Sequence, residues 1–299
     1  MTPNTFDSVE ARPVPDTASR LEVAALVALL VFTVMSTLGY GFFALHPENL
    51  PSSESALRFY NISFQFFAQL HILIAFGALA IVLVRRLEAA WLPAFAAVYL
   101  LSFVFEHIGT GYGIPFGGYE YTGLLGARLG PRVPFLIPLS WFLMTLPCWI
   151  VARAAFSRQI ALRVGLGAMG LVLWDLALDP AMSALTPYWR WEETGPYYGM
   201  PWMNLVGWFA TGTVLMIALE RLGGDTLADR LPVRWMAAYY AVVAALPLGM
   251  LGAAGEWLGI WVTLVAFSIT GVAVMIVRVQ IGEAALVTRA PTVQPGEAS

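Results

Sequence analysis

Lysine is missing from this chain: all 16 of its Lys+Arg residues are arginine. Without a lysine amine no side-chain Schiff base can form, which excludes the covalent chemistry of retinal proteins. Cysteine is nearly as scarce. Cys148 stands alone in an apolar run, so neither a disulfide framework nor a thiolate metal cage can be built. Charge is thin as well, at 12% of residues against 59% apolar, with a mean hydropathy of +0.72. That composition describes a polytopic helical membrane protein rather than a soluble domain with a large core. The first twenty residues are polar, acidic and proline-containing, unlike the short basic start of a cleaved signal peptide. Residues 1–20 and 281–299 are expected as disordered cytoplasmic tails.

Apolar runs of bilayer-crossing length fall near 21–45, 61–84, 89–109, 134–156, 160–180, 202–221, 234–252 and 257–278. The expectation is an all-α bundle of about eight spans. Seven remain open, because only Gly252-Ala253-Ala254-Gly255-Glu256 divides the last two. With the N-terminus inside, twelve arginines fall on cytoplasmic segments and four (Arg58, Arg128, Arg132, Arg190) outside. This satisfies the positive-inside rule with both termini cytoplasmic. The long loops 107–133 and 181–201 then face outward.

That topology sets the depth of the acidic residues. Glu106 and His107 end the third span on its outer side, Asp175 and Asp179 end the fifth, and Asn204 opens the sixth. Asp175 and Asp179 are four apart and share a helix face, where like charges repel, which favours one of the pair holding a proton. An aspartate at the centre of a span costs about 2.5–3.5 kcal/mol, less near the interface. Structural explanations compete: Asp179 precedes Pro180 at a helix end and there can simply bond loop backbone.

His71 lies deeper, in the second span, where a lone histidine is more often a hydrogen-bonded packing residue than a ligand. No HExxH or HxxxH spacing supports a metal, and none is expected. Gly165-Leu166-Gly167-Ala168-Met169-Gly170 matches a dinucleotide fingerprint, but no strand precedes it. Small residues for close helix packing are the better account. The outer loops echo one another in Tyr112-Gly113-Ile114-Pro115-Phe116 and Tyr198-Gly199-Met200-Pro201-Trp202, a weak parallel repeat. An ordinary interfacial aromatic belt explains some of these rings, though not the Gly-Pro framework.

The ordered set Glu106-His107-Ile108-Gly109, Gly113-Ile114-Pro115-Phe116-Gly117, Tyr119-Glu120-Tyr121, Pro138-Leu139-Ser140-Trp141, Asp175-Leu176-Ala177-Leu178-Asp179-Pro180, Trp189-Arg190-Trp191, Tyr197-Tyr198-Gly199-Met200-Pro201-Trp202-Met203-Asn204 and Gly207-Trp208 resembles the CruF-type carotenoid hydratases. The resemblance covers roughly residues 60 to 225. It implies addition of water across the terminal isoprenoid double bond of a linear carotenoid end group, of the gamma-carotene or lycopene type, to give a tertiary alcohol. It also implies an apolar carotenoid substrate and a bacterial cytoplasmic-membrane location. Membrane lipid and other carotenoid-pathway enzymes are the expected partners, and nucleic acid is not.

Hydration of an alkene is redox-neutral, so no cofactor is expected. It needs an acid in a dry pocket, rings to stabilise a carbocation, and a base for water. From charge type and depth alone, Asp175 or Glu106 is the candidate acid. Asp179 or Glu106 is the candidate base, assisted by His107. Tyr112, Tyr119, Tyr121, Trp141 and Trp208 would wall the cation, with Tyr198, Asn204 and His71 as further substrate contacts. Two other classes compete. Asp175-x-x-x-Asp179 also suits a magnesium-dependent prenyltransferase, and intramembrane carboxylates with a repeat suit a proton-coupled transporter.

Overall fold

Backbone polar groups have no water to bond in hydrocarbon, so a chain this apolar must close its hydrogen bonds inside helices. The computed structural model describes residues 17–287, and eight of the helices among them are long and apolar enough to cross a membrane. These are α1 (Arg20–Gly39), α2 (Glu54–Leu87), α3 (Leu92–Tyr112), α4 (Leu136–Ala155), α5 (Ile160–Asp179), α6 (Trp202–Leu222), α8 (Val233–Ala253) and α9 (Trp257–Val287), with a short helix, α7 (Gly224–Ala228), after α6. A left-handed Gly255 (φ +75°) breaks the chain between α8 and α9, so the count is eight rather than seven.

Boundaries shift where local signals outrun hydropathy. Ser53 caps α2, its hydroxyl accepting the Ala56 N–H at 3.2 Å, so the helix starts seven residues before the apolar run. Its 34 residues measure about 51 Å at 1.5 Å per residue, well beyond a hydrocarbon core of about 30 Å. At the other end α9 continues to Val287. Residues 281–287, expected as tail, are therefore helical, because Glu283-Ala284-Ala285-Leu286 are good helix formers. Residues 1–16 and 288–299 of the expected tails lie outside the described residues.

α4 is the axis of the bundle. Within its most apolar stretch 83% of residues are buried, against 6% for α9 at the periphery. It packs against α2, α3, α5, α6 and α8, while α1 fills between α2 and α8, and α9 lies on α5 and α8. The glycine run in α5 serves packing: Gly167 faces Met216 of α6, and Gly170 faces Cys148 of α4. At the end where α4 finishes and α5 begins, Glu220 of α6 accepts hydrogen bonds from Trp149 (2.7 Å) and Arg163 (2.7 Å). Glu22 of α1 pairs with Arg86 of α2 at 2.8 Å.

The opposite end carries structure that hydropathy does not reveal. Four short strands occupy the expected loops 107–133 and 181–201, the third running one residue into the expected fourth span: β1 (Tyr119–Tyr121), β2 (Arg128–Leu129), β3 (Val133–Pro134) and β4 (Trp189–Trp191). β1 pairs antiparallel with β4, in the register Tyr119↔Trp191, Glu120↔Arg190, Tyr121↔Trp189. The ladder clasps the two loops together over the ends of α3 and α5.

Candidate active site

Antiparallel neighbours bring the C-terminal turns of α3 and α5 to the same depth as the N-terminal turns of α4 and α6. Glu106 (α3), Trp141 (α4), Asp175 and Asp179 (α5), and Asn204 and Trp208 (α6) meet there around one cavity of about 50 Å³. A water needs about 10–15 Å³ by this kind of measure, so there is room for about three. All three carboxylates are buried, at 4% exposure or less.

A carboxylate in such a place needs donors, and each receives them differently. Glu106 Oε2 accepts the Tyr119 hydroxyl in a short bond and the Tyr121 hydroxyl at 2.7 Å, while Oε1 accepts the Trp141 indole N–H at 2.7 Å. Burial pushes both phenols on β1 well above the usual tyrosine range, so they remain protonated donors. Asp179 Oδ1 accepts Trp189 Nε1 at 2.7 Å, and Trp191 Nε1 bridges both its oxygens at 3.2 Å. Asp175 has much less: Asn204 Nδ2 donates to Oδ2 at 2.7 Å, and Oδ1 is buried with no partner among the described residues.

The clasp explains these donors. Alternation along a strand turns residues i and i+2 to one face, so Tyr119 and Tyr121 of β1, with Trp189 and Trp191 of β4, point inward with their polar tips on the acids. Glu120 and Arg190 between them are exposed, opposite charges in register. Below them the rings form a box: Trp141 stacks on Trp208 with centroids 4.2 Å apart, and Trp174 meets Trp208 edge-on at 5.7 Å. Phe116 is wedged between α3 and α6. A Cβ on Gly109 would lie 2.7 Å from its ring, and one on Gly207 would lie 2.7 Å from the ring and from the Pro115 carbonyl.

The structure thus gathers Glu106, Asp175, Asp179, Tyr119, Tyr121, Trp141, Asn204 and Trp208. Four other expected residues lie elsewhere. His107 follows Glu106 on the helix and is turned about 100° away; its ring lies against Phe103 (5.8 Å) and Nδ1 has no partner among the described residues. Tyr112 is 78% exposed, because the chain reverses at the left-handed Gly113 (φ +71°) immediately after it. Tyr198 accepts the Gly259 N–H and donates to Glu256, each at 3.1 Å, tying the loop to α9. His71, its Nε2 3.0 Å from Thr33 Oγ1, lines an adjoining apolar chamber of about 90 Å³. Trp174, Trp189, Trp191 and Phe116 were not expected at the site. The alternation of Tyr-Glu-Tyr and Trp-Arg-Trp was the available sign.

Fold and site together define a polytopic helical membrane protein with a carboxylate cluster enclosed by aromatic rings. The signature of one family, described as carotenoid biosynthesis protein, matches residues 67–270, and the chain belongs to that family. Among curated proteins it is similar to the bisanhydrobacterioruberin hydratase of Haloarcula japonica, 32% identical over 132 residues. That alignment covers 42% of this chain and 44% of the relative, so the match spans less than half the length of either. No solved structure gives a significant match.

Proposed function

We propose that this protein is a carotenoid hydratase, adding water to the terminal trisubstituted double bond of a linear end group of the lycopene or gamma-carotene type. The observation that carries the reading is the inequality of the three acids inside one small, aromatic-walled cavity. Glu106 accepts three donors, and Asp179 accepts two, one of them bridging both its oxygens, each the environment of an ionised carboxylate. Asp175, with one donor and a bare Oδ1, is the one equipped to carry a proton to an alkene.

In this mechanism the Asp175 O–H delivers its proton to the less substituted alkene carbon, and the π pair forms the new C–H bond. The tertiary cation left behind sits among Trp141, Trp174 and Trp208. Each ring facing a cation contributes about 0.5–2 kcal/mol, and the Glu106 charge adds to this at low local dielectric. A water in the cavity bonds to the cationic carbon and loses a proton to Asp179. Asp175 and Asp179, with Cβ atoms about 5–6 Å apart at i,i+4 spacing, then restore the starting state by proton return through water. Atoms and charge balance with no redox partner.

The site lies toward the outer side of a bacterial cytoplasmic membrane in this reading, with both termini cytoplasmic, supported by the arginine distribution. The relative's identity as a hydratase and the family membership support the reaction class. The test is expression in a host that accumulates lycopene or gamma-carotene, followed by mass spectrometry of the pigments. Gain of one water in the wild type and its loss in Asp175→Asn are expected; unchanged pigment beside demonstrably folded wild-type protein refutes the assignment.

A further inference from the structure

A cavity with room for about three waters cannot hold a carotenoid end group together with the chain behind it. The neighbouring apolar chamber shares Ile137, Ser140, Trp174, Leu178 and Trp189 with the carboxylate cavity, so the two adjoin through a common wall. Its remaining walls include Ala75 on α2, Leu143 and Met144 on α4, and Val243 and Pro247 on α8.

Two features say what would occupy it. First, most of its polar wall groups are engaged by the protein itself; the exception is the Trp174 indole N–H, on the wall shared with the carboxylate cavity, which is without a partner among the described residues. Ser140 donates to the Ile137 carbonyl at 2.8 Å, Tyr188 to the Phe64 carbonyl at 2.8 Å, Trp189 to Asp179, and His71 is bonded to Thr33. Away from the shared wall an occupant meets no unpaired polar group, which is the condition for hydrocarbon. Second, the chamber follows the helix axes. Trp174, Leu178 and Met182 form one stripe along α5 and the turn after it, while Asp175 and Asp179 form the stripe beside it. An extended chain lying along the first stripe keeps its terminal double bond beside the second.

Resting on the hydratase reading for the reacting end, we infer that this chamber is the binding subsite for the isoprenoid chain next to the reacting double bond, and that Ala75 and Val243 set its bore. A narrow channel parallel to the helices admits a linear end and excludes a ring.

The test separates binding from turnover. Purified protein in detergent is titrated with lycopene while tryptophan emission is followed, since Trp174 and Trp189 line the chamber. Hydration of a short terpenoid alkene with the same dimethyl terminus is measured in parallel. Ala75→Phe and Val243→Phe should each raise the lycopene Kd about tenfold or more, the equivalent of losing burial of one apolar group. Both should elute as wild type does and hydrate the short alkene at the wild-type rate. Wild-type lycopene affinity in both variants overturns the inference, and so does an equal loss toward long and short substrates. Weakened lycopene binding in the variants, with no hydration by any form of the protein, supports the chamber and refutes the hydratase reading instead.

Discussion

Among the described residues Glu106 accepts from three buried donors, so its removal has a cost that can be worked out. Glu106→Leu preserves apolar bulk but strands the Tyr119 and Tyr121 hydroxyls and the Trp141 indole N–H. Each orphaned group costs about 1–3 kcal/mol, giving about 3–9 kcal/mol for the three. That is comparable with the whole stability of an ordinary domain, about 5–15 kcal/mol. Glu106→Gln behaves differently. Its amide oxygen can accept the indole, and its NH₂ can donate to the tyrosine hydroxyls, which accept as well as donate. The Gln variant should therefore fold while losing the charge. A thermal ramp in detergent, read by fluorescence-detected size exclusion, is the assay. Glu106→Leu should melt far below wild type or fail to accumulate. Adding Tyr119→Phe, Tyr121→Phe and Trp141→Phe should recover most of the loss, because deleting both partners of a buried bond is close to neutral. A Leu variant melting at the wild-type temperature, or a quadruple variant no better than the single, refutes the reasoning.

Other outcomes follow from the same geometry. Asp175→Asn keeps a group that can bond Asn204 but removes the acid, and product formation in pigment-accumulating cells should fall by about 10²–10⁴-fold. Trp208→Leu removes one ring from the stacked pair and should slow hydration by about 2- to 30-fold at near-wild-type substrate affinity. Gly109→Ala drives a methyl into Phe116 and 3.0 Å from the Tyr119 hydroxyl; a melting temperature and activity both equal to wild type would contradict that packing. Arg86→Ala leaves Glu22 buried without its guanidinium, and should lower stability by about 3–5 kcal/mol with chemistry at the far end untouched in whatever protein remains folded.

The sequence carried the membrane spans well, because each is a long apolar run and length alone separates it from a strand or a buried soluble helix. It also carried the meeting of Glu106 with Asp175 and Asp179, since alternating span direction puts the ends of α3 and α5 on the same side. What it did not carry is the roof. Tyr119–Tyr121 and Trp189–Trp191 are too short for a period-two signal to stand out, and nothing local says that segments 70 positions apart will pair. Hence Trp189 and Trp191, which hold Asp179, were overlooked. Tyr112 and Tyr198, expected at the site from depth, open the two copies of a loop echo that the backbone does not honour: Phe116 of the first copy plunges between helices, whereas Trp202 of the second is 64% exposed. His107 shares the depth of Glu106, but a helix turns successive side chains about 100° apart, which carries its ring off the site.

The clasp also bears on how such a molecule is assembled. Glu106 is met by phenols 13 and 15 residues downstream, and Asp179 by indoles 10 and 12 downstream. Each acid is thus supplied with donors by the stretch that leaves the translocon immediately after it, and is never obliged to wait for the other half of the chain. The halves then meet along α4 against α5 and α8, α1 against α8 and α3 against α6, with the three-rung ladder and the stacked rings closing the outer end. A gene divided at the Phe156–Gln159 linker should therefore yield two fragments that insert separately and find one another, with pigment chemistry returning only when both are made in the same cell.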